Sequence, residues 1–554
     1  MATLLTTAIA YTNGQPHIGH AFEWIVSDCA NRWLKLRNGT SNRFLTGTDE
    51  HGQKIADTAT SLNLKPKELC DKVSNEFKKL CSSLNIGYDR FIRTTDEDHK
   101  HVVYRILFQC RHDIYLSEYE GWYNQREETF VTRSVAEQQG FKDPVTGKPL
   151  VHYKEPSYFF RLSKYQQPLI DLITKDVKFI RPEFKRNEIL LRLKEPLEDL
   201  SISRTTVEWG IPVPDFLHDD YYTDEHNHVL YVWFDALINY ISGAITNTGT
   251  NTNADWNHFS NIVHVIGKDI VWFHSVIWPA MLMSAGERLP TSIVAHGFVC
   301  DATGQKMSKS VGNVVSPFDL LEKYPSDVIR SYIIGNFSLD NDFNFSERAL
   351  VVYNDSKMLA DLGNLINRSF GMFKRYNDCV VRGWNCKILF DVTSTVKYLG
   401  ECIEHFKLQQ YTERVFETIA IVNGYINETT VWTIGNPKFP KDERTVDERD
   451  FILRTIAESI YFIAHILIPI VPECSQKIFE FFNKPAIDLS DDNLDKFFSV
   501  FETFRGNDGH RVYCTNYILF TILDKEAALT RDKKNIDSAI AKNKIIKGSA
   551  RFEK

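Results

Sequence analysis

The sequence predicts an α/β domain built on a parallel sheet, interrupted by an insertion and followed by an all-α bundle. A strand–turn–helix–strand run opens the chain, helical periodicity fades between 116 and 225, and strands largely disappear after about 345. Residues 4–12 (LLTTAIAYT) are apolar and β-branched, the composition of a buried strand. Asn13-Gly14-Gln15-Pro16 breaks it. From His17 to Arg37, Ile18, Phe22, Ile25, Val26, Ala30, Trp33 and Leu34 recur at three- and four-residue spacing, which is one face of a helix, and Asn38-Gly39 stops it. Phe44-Leu45-Thr46 reads as the second buried strand, and two strands joined through a helix run parallel.

Aromatics, Pro and Gly interleave with short strand-like runs over 116–225, an insertion of about 110 residues. The α/β pattern resumes at Val229–Ile241 and at the short buried strand Asn261–Ile266, followed by a helix rich in Trp and Phe from about Ile270 to Ala285. Segments 346–377, 391–408, 410–434, 444–468 and 471–484 have helical periodicity and make a bundle of ordinary domain size. The polar, Lys-rich stretch after Thr530 reads as a solvated basic tail. The expected organisation is 1–115 and 226–295 as the two halves of the α/β domain, 116–225 inserted between them, 296–345 as a connecting region, 346–530 as the bundle and 531–554 as the tail.

A chain of 554 residues is too long for one core and needs two or more domains. It carries 65 Lys+Arg against 72 Asp+Glu, a net charge of −7, which excludes the broad basic footprint of a general nucleic-acid binder but not a few local readers. No run of about 18 uninterrupted apolar residues occurs, so no membrane span is expected. None of the ten cysteines has C-x-x-C spacing, and Met1 to Tyr11 lack Lys and Arg; the expectation is reduced thiols, no targeting segment and a cytoplasmic location.

Pro16-His17-Ile18-Gly19-His20 follows a strand and opens a helix, where N–H groups and the positive dipole end favour an anion. Alone it is equally a helix start with incidental histidines, or an H-x-x-H metal pair. Lys306-Met307-Ser308-Lys309-Ser310, after a Gly-punctuated turn, puts two lysines three apart among hydroxyls, a loop able to close over a polyphosphate. Gly47-x-x-x-x-Gly52 fails as a phosphate-binding P-loop: the lysine, Lys54, falls one place late and no Ser or Thr follows it.

The pairing of PHIGH and KMSKS, in that order, resembles the class I aminoacyl-tRNA synthetases. The flanking text, Ala8–Tyr11, Thr46–Lys54, Ser201–Arg204, Trp209–Pro212, Tyr231–Ala236 and Gly267–Ile270, resembles the methionyl-tRNA synthetases. The resemblance covers most of the chain. It implies a Rossmann-like catalytic domain with a connective insertion and an α-helical anticodon-binding domain. It implies ATP, bound with Mg2+, as substrate, with His17, Gly19, His20, Gly267, Asp269, Lys306, Ser308 and Lys309 around it and His17, His20, Lys306 and Lys309 as the catalytic set. It places methionine among Ile9, Tyr11, Asp49, Trp233, Tyr240, Ile270 and His274, with Asp49 on the ammonium, and the CAU anticodon of its tRNA against Asn364, Arg368 and Trp432. Relatives often carry zinc knuckles of C-x-x-C pairs in the insertion; here Asn124 stands where a first Cys could be and residues 143–147 hold none, so no structural zinc is expected. Relatives specific for isoleucine, valine or leucine normally have a larger editing insertion, and the cysteine enzyme usually relies on zinc. The C-terminal module that often dimerises relatives does not fit after 530, so the expected form is a monomer.

Overall fold

Thr3–Thr7 is buried along its whole length, as a strand covered on both faces must be. In this computed structural model, which describes residues 2–124, 129–131, 133–144, 147–217, 227–245, 256–307, 312–382, 386–491, 510–514, 519 and 530–533, that strand lies in a seven-stranded sheet. The strand order is Ala10–Tyr11, Arg43–Asp49, Thr3–Thr7, Asn261–Gly267, Ser292–His296, Ile180–Arg181, with Arg90–Arg93 also on Arg43–Asp49. Thr3–Thr7 runs parallel to Asn261–Gly267, Arg43–Asp49 to both Ala10–Tyr11 and Arg90–Arg93, and Ser292–His296 to Ile180–Arg181. The single strand expected over 4–12 is therefore two. Arg43–Asp49 neighbours both parts, pairing Ala10 with Thr48 and Tyr11 with Asp49, while the pairing with Asn261–Gly267 ends at Thr7↔Val265, and the break falls at Ala8-Ile9.

The chain divides into two units, Met1–Gln15 with Phe44–Lys78 and Tyr88–Ala295, and Pro16–Arg43 with Lys79–Gly87 and His296–Lys554. The first holds the sheet and the insertion. In the insertion Ile114–Asn124 and Val151–Phe160 form a long antiparallel pair from Ile114↔Phe160 to Tyr123↔Val151, flanked by Thr129–Val131 and Leu200–Ser201.

In the second unit, helix Ile18–Asn38 ends at Gly39, whose φ of 68° suits a residue without Cβ. Its buried Asp28 meets the buried Arg330 of helix Ser326–Gly335 at 2.7 Å. Arg330 also donates to the carbonyls of Leu84, Pro469 and Ile470 at 3.0–3.2 Å, the further bonds that a buried ion pair needs to offset its desolvation. Helices Val392–Glu404, Leu408–Thr429, Val446–Leu467 and Pro472–Phe481 fall on the expected segments. Val446–Leu467 is buried on every side from Ile452 onward, the mark of a central helix, and a Thr445/Glu448 capping box closes its start. The expected helix over 346–377 is helical in three stretches: Glu347–Tyr353, the π-helical Asn354–Gly363, and Asn364–Asn377.

The tail expectation changes at its first residues. Asp532 accepts from the N–H groups of Glu347 and Arg348 and from Ser346 Oγ at 2.8–2.9 Å, and Arg531 pairs with Glu347. A carboxylate at a helix N-terminus is favourably placed against the dipole, and it docks this turn. Residues 534–554 lie outside the described residues. No helix among the described residues is long and apolar enough to cross a membrane.

Candidate active site

In open parallel sheets, ligands bind beyond the C-terminal ends of the strands, where the order reverses. The first unit has a cavity of about 200 Å³ there. Ile9 and Tyr11 reach it after Thr3–Thr7, Asp49 from the end of Arg43–Asp49, and Ile270 and His274 from beyond Asn261–Gly267. Trp233 and Tyr240 come from the short helices Val232–Leu237 and Asn239–Ala244. All seven residues expected around the amino acid thus line one cavity, and Lys54 joins them. Trp233 stacks on Phe273 with centroids 3.8 Å apart. His274 lies in the π-helical turn Phe273–Ile277; such turns widen a helix locally and often serve a site.

Hydrogen-bond geometry fixes the imidazole in the wall of this cavity, His274, and that of His264 stacked behind Tyr240. His274 Nδ1 lies 2.9 Å from the Ile270 carbonyl, which can only accept, so Nδ1 carries the hydrogen and Nε2 accepts from the Tyr240 hydroxyl at 2.7 Å. His264 is stacked 4.1 Å from the Tyr240 ring; its Nε2 accepts from Trp278 Nε1 at 3.2 Å and its Nδ1 bonds Thr6 Oγ1 at 2.7 Å. Burial pushes His274 down to about 4 and His264 well below the ordinary imidazole range. The cavity is therefore uncharged at its apolar end throughout the neutral range. Because unfolding restores an ordinary imidazole near 6.5, the unfolded chain binds more protons below that pH. Stability should fall as pH drops from about 6.5 towards 4, and the Tm of His274→Gln should fall less steeply over that interval.

The loop after Asp49 is pinned from behind. Glu50 is buried and accepts from Arg93 at 2.6 and 2.9 Å, from Thr48 Oγ1 at 2.7 Å and from Thr95 Oγ1 at 2.5 Å. Buried Asp235 accepts from His51 Nδ1 at 2.6 Å and His99 Nε2 at 2.7 Å. Burial would raise the Asp235 carboxyl, but the two imidazoles outweigh it and hold it at about 2.

In the second unit, His17 is the N-cap of helix Ile18–Asn38 and His20 its third residue. Gly19 N–H donates to His17 Nδ1 and His17 N–H to His20 Nδ1, both at 3.1 Å. The two imidazoles form a capping box, a role usually filled by Ser or Thr with Glu. Since both Nδ1 atoms accept from amide hydrogens, each neutral ring carries its hydrogen on Nε2. Gly19 leaves the His17 ring its place: a Cβ there would lie 2.9 Å from His17 Cε1 and force the ring to shift. Ile18 N–H bonds the Val315 carbonyl at 3.2 Å, tying the cap to the chain that follows the lysine loop. That loop is held by Asp301, which accepts from Thr303 and Gln305 N–H on one oxygen and from Asn313 Nδ2 at 2.8 Å on the other. Lys306 Nζ sits 3.3 Å above the Phe298 ring centroid. Ser308 and Lys309 lie outside the described residues. Gly267 ends its strand and Asp269 is exposed on the turn after it, in the first unit.

Arg368 on helix Asn364–Asn377 bonds Asn427 Oδ1 at 2.7 Å and lies 6.0 Å from the Trp432 ring centroid. Asn364, one turn before it, is exposed. In the insertion, Asn124 Nδ2 donates to Asp143 Oδ2 at 2.7 Å in a buried pair. Among the described residues no group of His, Cys, Asp or Glu is arranged to hold a metal ion. Motif reading gave no role to Asp235, His99, Asp301, Asn313, Asn427 and Phe298, which brace the expected residues or one another. His51 and Lys54, inside the Thr46–Lys54 motif, and Asp235, inside Tyr231–Ala236, had a local signal.

The family model described as tRNA synthetases class I (M) matches residues 3–140 and 141–370. The methionine--tRNA ligase of Fusobacterium nucleatum is 39% identical over 517 residues, 92% of this chain and 78% of that protein. That of Bacillus subtilis is 35% identical over 515 residues, 90% of this chain and 74% of its own length. Among solved structures, Mycobacterium tuberculosis methionyl-tRNA synthetase in complex with methionyl-adenylate has a TM-score of 0.78 at 35% identity, covering 92% of this chain and 98% of that one. A second structure of it with methionyl-adenylate has a TM-score of 0.80 at 33% identity, covering 94% and 100%.

Proposed function

This chain belongs to the class I (M) tRNA synthetases, a methionine–tRNA ligase family, and from that premise we propose how its own residues divide the work. The enzyme joins methionine to ATP as methionyl-adenylate and passes it to tRNA. In the first step a methionine carboxylate oxygen bonds the α-phosphorus of Mg2+–ATP, the bond to the β-phosphate oxygen breaks, and pyrophosphate leaves. In the second a ribose hydroxyl of the 3′-terminal adenosine bonds the adenylate carbonyl carbon, loses its proton, and AMP leaves. No side chain is covalently altered, so the protein contributes positioning and charge stabilisation.

The cavity between Asp49 and His274 takes methionine. Asp49 accepts from the ammonium. The apolar walls and the Tyr240–His274 pair meet the thioether, which offers no strong hydrogen bond and is selected by shape and contact with rings. His17 and His20 donate their Nε2–H groups to ATP phosphates, with Gly19 leaving the cap open. Gly267 and Asp269 take adenine and ribose, and Lys306, Ser308 and Lys309 the α-phosphate and pyrophosphate. The observation that carries this reading is that all seven residues expected around the amino acid, the Asp49 carboxylate and the aromatic rings among them, line one cavity. ATP–pyrophosphate exchange with a panel of amino acids tests it: exchange is expected with methionine, and exchange with isoleucine but not methionine would overturn it.

Asn364, Arg368 and Trp432 read the CAU anticodon of tRNA(Met). Unstacked bases are recognised by hydrogen bonds and by stacking on aromatic and guanidinium planes, and the Arg368–Trp432 grouping offers both. Losing one base–aromatic stack costs about 1–3 kcal/mol. Trp432→Ala should therefore raise KM for tRNA roughly 5- to 150-fold, with pyrophosphate exchange nearly unchanged. Equal loss of both would remove this role.

The insertion is zinc-free in this reading. Asn124, where the resemblance would put a first Cys, bonds Asp143, and an amide with a carboxylate does not make the Cys-rich donor set of a structural site. Metal analysis of the purified chain should find far less than one zinc per molecule. The same reading makes the protein a cytoplasmic monomer, which light scattering checks against 64.1 kDa.

A further inference from the structure

Lys54 breaks the P-loop spacing of its motif and has no part in the reading above, yet it lines the same cavity as Asp49. It is the second residue of helix Gln53–Ser61, whose start puts it beside the Tyr11 ring, 5.4 Å from Nζ to the centroid. Around the cavity stand Ala8, Ile9, Val232, Ala236, Leu237 and Ile270, the rings and Asn239, one carboxylate and one ammonium. The His274 imidazole in its wall is held in one neutral tautomer, Nδ1 donating to the Ile270 carbonyl and Nε2 accepting from the Tyr240 hydroxyl.

A free amino acid is a zwitterion. Burying its ammonium against Asp49 alone would leave its carboxylate without a charged partner, which costs binding wherever water is excluded. Among the described residues that line the cavity, Lys54 is the cation able to answer it. We propose that Lys54 is a substrate-positioning residue that pairs with the methionine α-carboxylate, so that Asp49 and Lys54 together hold the two charges of the amino acid. This rests on the assignment of the cavity to methionine. The pair fixes the attacking oxygen before ATP arrives and lowers the repulsion between the carboxylate and the phosphates. Lys54 keeps its proton throughout; the only bonds that change are the new carboxylate O–P bond and the P–O bond to pyrophosphate. An ammonium suits this task because its donors can follow an oxygen that moves from ground state to adenylate.

The test compares L-methionine with L-methioninol, which keeps the ammonium and thioether but replaces the carboxylate by a hydroxymethyl group. Tryptophan fluorescence of the full chain, with Trp233 in the cavity wall, reports binding of either. Lys54→Met should raise the Kd for methionine about tenfold and leave that for methioninol within about twofold, and Lys54→Arg should recover most of the methionine affinity. Parallel weakening of both ligands would show that Lys54 only shapes the cavity through Tyr11, and no change for either would show that it does not meet the substrate; both overturn the proposal. Asp49→Asn separates this from the underlying assignment. It should weaken both ligands, and if it weakens neither, the cavity is not the methionine site and the proposal falls with it.

Discussion

His17→Asn is expected to lower the rate of methionyl-adenylate formation by roughly 10²–10³ while leaving the helix it caps intact. His17 does two things at once: its Nδ1 satisfies the amide of Gly19, and its Nε2 carries a hydrogen for an anion. Asparagine is among the best N-cap residues, so the first role survives the change. The second does not, because the Asn amide is too short to put a donor where Nε2 stands. Removing one preorganised donor from a site of developing charge typically costs the stated factor. Pyrophosphate exchange measures the loss, and thermal unfolding should show a Tm within a degree or two of the parent. A Tm that falls in step with activity would reduce His17 to a cap. Gly19→Ala approaches the same group differently: the new Cβ, 2.9 Å from His17 Cε1, must displace the ring, so activity should fall although both histidines remain.

This cap shows why part of the site could be read from sequence. The spacing His-x-Gly-His is the spacing of N-cap to third helical residue, so a local pattern encodes both the helix start and the donor geometry. The same holds for the parallel sheet and the bundle, whose apolar periodicities are local. It fails where a partner is remote. Asp235 sits in an apolar run, Tyr231–Ala236, and reads as one polar residue among aromatics; its partners are 184 and 136 positions away. Asp301 is hidden differently: Thr303, Gln305 and Asn313 are only 2, 4 and 12 positions away, but a loop has no period that marks their convergence. The break at Ala8-Ile9 was equally hidden, because LLTTAIAYT is uniformly strand-like and only the end of its pairing with Asn261–Gly267, at Thr7↔Val265, divides it. The docking of Asp532 on Ser346–Arg348 was masked by composition, since a Lys-rich end argues for solvation and says nothing of a single acid placed at a helix start.

Asp235→Ala should destabilise the protein by about 3–5 kcal/mol, the usual cost of leaving the partners of a buried charge uncompensated, and should also raise KM for methionine. Asp235 is 1% exposed and joins three segments of the first unit. His51 belongs to the loop that carries Asp49, His99 to helix Glu97–Cys110, and Asp235 itself to the helix that carries Trp233, Ala236 and Leu237 into the cavity. His99 Nδ1 is within 2.8 Å of Ser242 Oγ, which extends the chain of bonds to the helix bearing Tyr240. The carboxylate therefore sets the distance between the charged end of the cavity and its aromatic wall. Without it, two buried imidazoles lose their acceptor, and the loop and the wall are free to shift independently. The pH dependence distinguishes this from a simple cavity. The Asp235 carboxyl is held at about 2 against 3.8 for the ordinary group, so the unfolded chain binds the extra proton in between. The stability that Asp235 contributes is complete above about pH 4 and is lost as pH falls through the folded value near 2. The difference in Tm between the parent and Asp235→Ala should accordingly be level from pH 8 to 5 and narrow below 4. A difference that stays level down to pH 3 would mean that Asp235 acts by filling space, and an unchanged KM for methionine would mean that the loop and the wall keep their spacing without it.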